Sequence, residues 1–196
     1  MAPADIPPRP AHRPSARAAM LDAAEAHLGV DGTLTLDSAA RAAGVTKTGL
    51  MYHFSTKEAL LRGVLDHIAD RYEREVLAQI DAVHPEGVED LASVPARRRF
   101  LAYLDWACWA RLSPADLVIF ADPRLRVTLT ARWQEQLAGW LSIPAGTPAG
   151  ERQRLLAVRL MADGLWFDRA TGQLDVPAED ARAIHALARD LLGGET

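Results

Sequence analysis

The chain has 196 residues, 49% of them hydrophobic, and a formal net charge of −4. This length supports one or two globular domains with a substantial core, which excludes a disordered chain. No apolar run of about 18 residues and no signal-peptide pattern is present, so we expect a soluble, cytoplasmic protein with no membrane partner. The single cysteine, Cys108, excludes an internal disulfide and a cysteine-based metal site.

The charge is distributed unevenly along the chain. Residues 1–62 hold seven basic and six acidic residues, whereas residues 63–196 hold 15 basic and 20 acidic residues. An anionic polymer is therefore expected to bind the N-terminal third. The only two lysines, Lys47 and Lys57, both lie in that third.

The first 14 residues are predicted to form a disordered arm, because five prolines prevent a continuous helix there. Its basic residues include Arg9, Arg13 and, just beyond it, Arg17. Such an arm could follow the phosphates of DNA, enter a minor groove or remain in solvent.

Three short helices are predicted to follow the arm, each preceded by a hydroxyl side chain that can cap it. Ser15 caps a helix that reaches about residue 28, Thr35 caps a second helix over 36–43, and Thr46 caps a third. Gly44 ends the second helix, which leaves a tight turn before the third. Two short helices joined in this way cross steeply, so one side of the third helix stays open and can enter the major groove of DNA.

The third helix divides into a core face and an open face. Leu50 and Phe54 stand four residues apart and are expected to face the core. Lys47 and Thr48 are placed to contact a base edge or a phosphate, Gly49 permits close backbone approach, and Met51 suits a thymine methyl group. The other candidates are expected to contact phosphates or lie at the helix ends. The complete predicted DNA-binding set is Thr35, Thr46, Lys47, Thr48, Gly49, Met51, Tyr52, His53 and Lys57.

The segments Ala42-Ala43-Gly44-Val45-Thr46, Gly49-Leu50-Met51-Tyr52-His53-Phe54 and Lys57-Glu58-Ala59-Leu60-Leu61 resemble the TetR-type bacterial transcription regulators. The resemblance implies an all-α protein. Residues 15–57 would form a helix-turn-helix DNA-binding domain, and residues 58–196 a helical ligand-binding and dimerisation domain. Met51 stands where the common family pattern has a tyrosine, and Tyr52 follows it. Lys57 matches the family lysine that meets the phosphate backbone.

Helical spacing of apolar residues predicts one long helix from Thr56 to about Val83, with a break at residues 84–87. Further helices are predicted near residues 95–112, 115–121, 123–141, 149–171 and 177–192. No strand pattern is present.

All five tryptophans lie in the second half of the chain, which predicts either an aromatic pocket for a hydrophobic or planar small molecule or ordinary core packing. The resemblance places Tyr103, Trp106, Trp133 and Met161 on helices that enclose such a pocket. Asp163 lies in an apolar stretch and therefore needs a partner. That partner could be an arginine, a dimer contact or a cationic or hydroxylated ligand.

The resemblance also implies a homodimer in which the last two helices form a four-helix bundle with those of a second subunit. The predicted seams consist of Leu156, Leu160 and Gly164 on one helix and Ile184, Leu187 and Leu191 on the other.

No catalytic residue, metal site or cofactor is predicted, because the six histidines show no metal-ligand spacing and no phosphate-binding glycine loop is present. The resemblance implies a repressor that a small effector releases from a palindromic operator. The alternatives are a helical interaction or ligand-binding module that does not bind DNA and, less favoured, a small helical enzyme.

Overall fold

The computed structural model describes residues 15–83 and 90–193, which form eight α-helices and two 3₁₀ segments and contain no strand. The predicted arm at residues 1–14 and the predicted break at residues 84–87 lie outside this range. The all-α expectation is confirmed. The helices are α1 Ala16–Asp31, α2 Leu36–Ala42, α3 Lys47–His53, α4 Lys57–Val83, α5 Ala96–Trp109, α6 Arg126–Leu141, α7 Ala149–Thr171 and α8 Ala178–Leu191, and the 3₁₀ segments are Leu91–Ser93 and Pro114–Phe120.

Hydroxyl caps start the first three helices, as the sequence predicts. The Ser15 side chain accepts the N–H of residue 18, and the Thr46 side chain accepts the N–H of Gly49, each at 3.1 Å. Thr35 and Ser38 cap each other's backbone N–H at the start of α2. These bonds satisfy N–H groups that have no partner inside the helix, so α1, α2 and α3 begin where the sequence specifies.

The turn between α2 and α3 depends on Gly44, whose φ of 65° lies in the left-handed region that favours glycine. Leu50 of α3 and Phe54, which follows it, are both buried in the core. Gly63 lets α4 approach closely, because a Cβ there would lie 2.9 Å from Cε1 of Phe54. The core of the N-terminal helices is therefore closed by α4.

Helices α5 and α7 form the centre of the second half, with α8 packed on α5 and α6 packed on α4. Buried Arg99 of α5 donates to the backbone carbonyls of Gly139, Trp140 and Ser142, at the C-terminal end of α6. Those carbonyls have no partner inside the helix, and the guanidinium also complements the negative end of the helix dipole. Arg99 thereby holds α5 against α6.

Several predicted boundaries are wrong by a few residues, and the causes are local. The predicted helix over 115–121 is a 3₁₀ segment that kinks at Leu117. Helix α6 begins at residue 126 instead of 123, because Asp122 forms a turn with the N–H groups of Arg124 and Leu125. Helix α5 ends at Trp109 instead of residue 112, and α1 continues to Asp31.

Helix α4 belongs to both halves of the molecule. It packs against α1 on one side and against α5, α6 and the 3₁₀ segment Pro114–Phe120 on the other. The predicted domain division after residue 57 stays a prediction, since the same 27-residue helix supplies core side chains to both halves.

Candidate DNA-binding face and aromatic cluster

Helix α3 presents a face of exposed side chains next to its buried residues. Tyr52 is 86% exposed and Met51 is 40% exposed, while Leu50 is fully buried. Of the other predicted DNA-binding residues on α3, Lys47, Thr48 and His53 are exposed and Gly49 is half-buried. The predicted division between core and open face is confirmed for Leu50 and Phe54, so α3 can approach a groove without disturbing the fold.

The predicted residues at the helix ends already have local partners. The hydroxyl oxygens of Thr35 and Thr46 serve as helix caps, although both residues are exposed. A glycine at position 49 also suits the helix cap, because a Cβ there would lie 3.2 Å from Oγ1 of Thr46. These three positions therefore shape α2 and α3 whether or not they touch DNA.

Both lysines of the chain form ion pairs with aspartates that the sequence analysis did not pair with them. Lys47 Nζ lies 2.9 Å from Asp37 Oδ2, and both side chains are largely exposed. Lys57 Nζ lies 2.7 Å from Asp122 Oδ2, which precedes α6. The hydrogen bond from Lys57 and that from the backbone of Arg124 hold the pKa of the Asp122 carboxyl below its ordinary value.

A further basic group lies beside the end of α3. The guanidinium of Arg17, on α1, sits 5.1 Å above the ring of Phe54. The sequence assigned Arg17 to the basic character of the arm, whereas in the fold it lies against the aromatic residue that follows α3.

Tyr72 of α4 is the centre of an aromatic cluster in the second half. Its ring centroid lies 4.3 Å from that of Trp106 and 5.7 Å from that of Trp133. Tyr103 stacks on Trp106, and Trp133 stacks on Trp166. Four helices, α4 to α7, thus contribute rings to this aromatic cluster, which we define as Tyr72, Tyr103, Trp106, Trp133 and Trp166.

Hydrogen bonds fix the orientation of the central ring. The Tyr72 hydroxyl donates to Asp116 Oδ1 at 2.6 Å and accepts the Nε1–H of Trp166 at 2.9 Å. Burial raises the pKa of Tyr72 well above its ordinary value, and the negative charge of Asp116 raises it further. The phenol is therefore neutral and remains a donor at physiological pH.

Asp116 connects the aromatic cluster to the first helix. Arg71 Nη2 lies 2.7 Å from Asp116 Oδ1 and 2.9 Å from Glu25 Oε1, which belongs to α1. Burial by itself would lower the pKa of Arg71, but the two carboxylates outweigh it and raise that pKa. The charged guanidinium thus joins α1, α4 and the 3₁₀ segment in one chain of hydrogen bonds that continues to Trp166 on α7.

The predicted effector residues are close together, but their side chains are packed. Tyr103 and Trp106 are buried, and Trp133 and Met161 are half-buried. Asp163 is partly exposed; it accepts a hydrogen bond from the Tyr103 hydroxyl at 3.0 Å and pairs with Arg159 at 3.4 Å. An arginine and a tyrosine are therefore the partners that this carboxylate needs.

Two clefts of the structure lie away from these residues. One, of about 210 Å³, lies between α1 and α4, and the other, of about 370 Å³, lies beside Trp109 and Arg169. The role of the predicted effector residues in binding stays a prediction. An effector at the aromatic cluster would have to displace side chains that now contact each other.

Residues 15–83 and 90–193 contain no candidate metal site, membrane-spanning helix or reactive cysteine. Within that range no group of three or more His, Cys, Asp or Glu side chains could hold a metal ion. No helix of the described chain combines the length and apolar character needed to cross a membrane. Cys108 is buried, and burial raises the pKa of its thiol to about 11, so it is not an activated nucleophile.

Residues 20–64 match the model of the bacterial regulatory proteins of the tetR family. Over these residues the chain is therefore similar to the TetR family. Members of this family are DNA-binding transcriptional regulators and not enzymes, and they bind small-molecule effectors and form dimers. No protein with curated annotation matches the chain.

Several solved structures share the fold over about nine tenths of the chain. A putative TetR-family regulator from Rhodococcus sp. has a TM-score of 0.60 at 19% identity, covering 90% of this chain and 97% of its own. The multidrug binding protein EbrR complexed with malachite green has a TM-score of 0.59 at 22% identity, covering 91% and 98%. LfrR from Mycobacterium smegmatis in complex with proflavine has a TM-score of 0.50 at 19% identity, covering 92% and 96%.

Exposed apolar side chains lie along α7 and α8. Leu156, Leu160 and Leu187 are 49%, 62% and 57% exposed, and Gly164, one turn beyond Leu160 on α7, is also exposed. Phe167, 40% exposed, lies one turn beyond Gly164 and was missed by the sequence reasoning. The other two predicted seam residues, Ile184 and Leu191, are half-buried.

The buried Tyr72 hydroxyl should contribute measurably to stability. Tyr72→Phe removes the acceptor of the Trp166 N–H and a donor to Asp116, so it should lower the free energy of unfolding by about 1–3 kcal/mol. Urea unfolding measures this change. Tyr52→Phe removes the same atom from an 86% exposed residue and should change stability by less than about 0.5 kcal/mol. Equal effects of the two changes would contradict this account.

Proposed function

We propose that the chain is a homodimeric repressor that binds a palindromic operator through α3 and releases it when a planar aromatic effector binds near the aromatic cluster. The exposed face of α3 next to its buried Leu50 is the observation that carries the DNA-binding part of the proposal. The proposed domains are the DNA-binding domain at residues 15–57 and the ligand-binding and dimerisation domain at residues 58–196. We place the protein in the cytoplasm, where the DNA is, and assign the arm at residues 1–14 no firm role.

Within this proposal the residues of α3 divide into two groups. Lys47, at the first turn, is assigned to a base edge or a nearby phosphate, together with Thr48 and Met51. Tyr52, His53 and Lys57 are assigned to phosphates, because they lie at or beyond the end of α3. Base contacts carry sequence information, whereas phosphate contacts fix the register of the protein on the duplex.

The two lysines should therefore behave differently when each is changed to alanine. Lys47→Ala should weaken operator binding by about 1–3 kcal/mol and relax the sequence preference. Lys57→Ala should weaken binding to all DNA sequences alike, and it should reduce the slope of log affinity against log salt concentration by about 1. Fluorescence anisotropy with duplexes from around the gene itself, at several salt concentrations, measures both quantities. Identical behaviour of the two variants would refute the division. A wild-type protein without any salt-sensitive specific complex would refute DNA binding.

A two-fold dimer is supported by the open apolar face of α7 and α8. The leucines at positions 156 and 160 stand one helical turn apart and are 49% and 62% exposed. Gly164 continues the row, with nothing within 4 Å of an added Cβ. Such a contiguous apolar face is typical of an interface. A two-fold dimer would present two copies of α3 to successive major grooves, which requires a palindromic operator.

Placing a charge in this face should separate the subunits. Leu160→Glu should convert the dimer to a monomer and abolish tight operator binding, because two buried carboxylates would face the partner. Sedimentation velocity measures the mass. Val127→Glu introduces the same charge at an 83% exposed residue of α6, outside the proposed seam, and should leave the dimer intact. Dimerisation of Leu160→Glu as tight as that of the wild type would exclude α7 from the interface.

The aromatic cluster and its carboxylates support an aromatic cation as effector. Asp163 hydrogen-bonds to Tyr103, and Glu75 accepts the Nε1–H of Trp106 at 2.6 Å. Both carboxylate side chains are partly exposed, at 37% and 42%. A planar cation could stack on the rings and pair with Asp163 in place of Arg159. Malachite green in EbrR and proflavine in LfrR are ligands of this chemical class.

Removing the charge of Asp163 should weaken binding of such a cation. The melting temperature should rise with added malachite green, and Asp163→Asn should reduce the affinity for this dye about tenfold. Thermal-shift titration in the absence of DNA measures this without interference from dye bound to the duplex. Asp70→Asn makes the same charge change at an exposed residue of α4 and should leave the affinity unchanged. Equal affinities of the Asp163 and Asp70 variants would remove Asp163 from the effector site.

A further inference from the structure

The ion pair between Lys57 and Asp122 joins the candidate DNA-binding face to the second half of the chain. Lys57 is the first residue of α4 and follows the last residue of α3 by four positions, whereas Asp122 lies in the turn before α6. Their charged atoms are 2.7 Å apart, within hydrogen-bond distance. The Lys57 side chain is 37% exposed and that of Asp122 is 16% exposed, so the lysine faces both the carboxylate and solvent.

The Asp122 carboxylate is held in place independently of Lys57. Its Oδ1 accepts the backbone N–H of Arg124 at 2.9 Å, and its backbone carbonyl accepts that of Leu125 at 3.1 Å. Only Oδ2 is directed at the lysine. The carboxylate is therefore preoriented by its own turn, and withdrawing it from Lys57 requires the turn itself to move.

A phosphate and this carboxylate compete for the same cation. If Lys57 leaves Asp122 to bind a phosphate, the charge-assisted hydrogen bond is lost. If Lys57 keeps Asp122 while it binds a phosphate, two anions lie side by side around one ammonium group. Either arrangement lowers the affinity for DNA relative to a free lysine.

We propose that Asp122 is an intramolecular competitor of the DNA backbone for Lys57 and so sets the affinity of this regulator for its operator. The inference rests on the proposed DNA contact of Lys57. It adds that the position of the turn before α6 controls how much positive charge the DNA-binding face presents. A conformation that holds Asp122 against Lys57 binds DNA weakly, and one that withdraws it binds DNA tightly.

Asp122→Asn removes the negative charge but keeps the turn, because the asparagine Oδ1 still accepts the Arg124 N–H. Asp66→Asn is the matched control: Asp66 Oδ1 pairs with Arg132 Nε at 2.8 Å, which also joins α4 to the second half of the chain. Both variants raise the net charge by the same amount. A general effect of net charge on DNA affinity should therefore appear in both variants, whereas the loss of competition for Lys57 should appear only in Asp122→Asn.

Operator binding is measured by anisotropy over a series of potassium chloride concentrations. Asp122→Asn should tighten binding about 3- to 5-fold at roughly 0.1 M salt, the upper end of what is expected for release of one partly exposed ion pair. Asp66→Asn should change binding by less than about twofold. In the Lys57→Ala background, Asp122→Asn should have no effect beyond that of the control, because the cation it competes for is absent.

The possible outcomes distinguish a failure of the competition by Asp122 from a failure of the proposed function. If the wild type binds its operator and Asp122→Asn behaves like Asp66→Asn, competition by Asp122 is refuted while the proposed function stands. A tightening that persists in the Lys57→Ala background also refutes it. If no variant binds DNA specifically, the proposed function fails, and the inference with it. Circular dichroism checks folding, and Asp122→Ser, whose hydroxyl also accepts the Arg124 N–H, replaces the asparagine variant if that one is unfolded.

Discussion

The buried carboxylate of Asp116 is the interaction on which the arrangement of the two halves depends. Its side chain is 1% exposed and receives hydrogen bonds from Arg71, Tyr72 and the backbone N–H of Ser113. A buried carboxylate without such partners would destabilise the fold by several kcal/mol. Helix α4 and the 3₁₀ segment that contains Asp116 are therefore held in one relative position, with α1 attached through Glu25.

This constraint makes α4 a rigid link between α3 and the aromatic cluster. Lys57 at its start lies next to α3, and Tyr72 lies 15 residues later at the centre of the aromatic cluster, about 22 Å along the helix axis. A change in the packing of Trp106 or Trp166 would act on Tyr72 and hence on Asp116. The same 3₁₀ segment leads into the turn that holds Asp122. Helix α4 and residues 113–122 thus connect the aromatic cluster to the candidate DNA-binding face, beside the pairing of Arg71 with Glu25 on α1.

The local features of the N-terminal domain were predictable because each is encoded within a few residues. Thr35 and Thr46 cap helices whose first N–H groups lie within three positions, and Gly44 supplies a left-handed turn. The core residues Leu50 and Phe54 follow from a spacing of one helical turn. In the second half, predicted helix boundaries were wrong where Asp122 and the kink at Leu117 override the apolar periodicity. A side chain that bonds to nearby backbone competes with helix formation in a way that periodicity does not show.

By itself the sequence determined the all-α class, the three capped helices of the TetR-type domain and the identity of the candidate DNA-reading residues, because caps, turns and helical faces are short-range properties. Only the tertiary structure decided which polar and charged side chains pair. Arg71 meets Asp116, Lys57 meets Asp122, and Tyr103 meets Asp163 across 45, 65 and 60 positions of the chain. Such partners are chosen by how the helices pack, since many carboxylates could satisfy each donor and only the fold brings one within reach. For the same reason the tryptophans were recognisable as a group in the sequence, but the clustering of Trp106, Trp133 and Trp166 with Tyr72 was not.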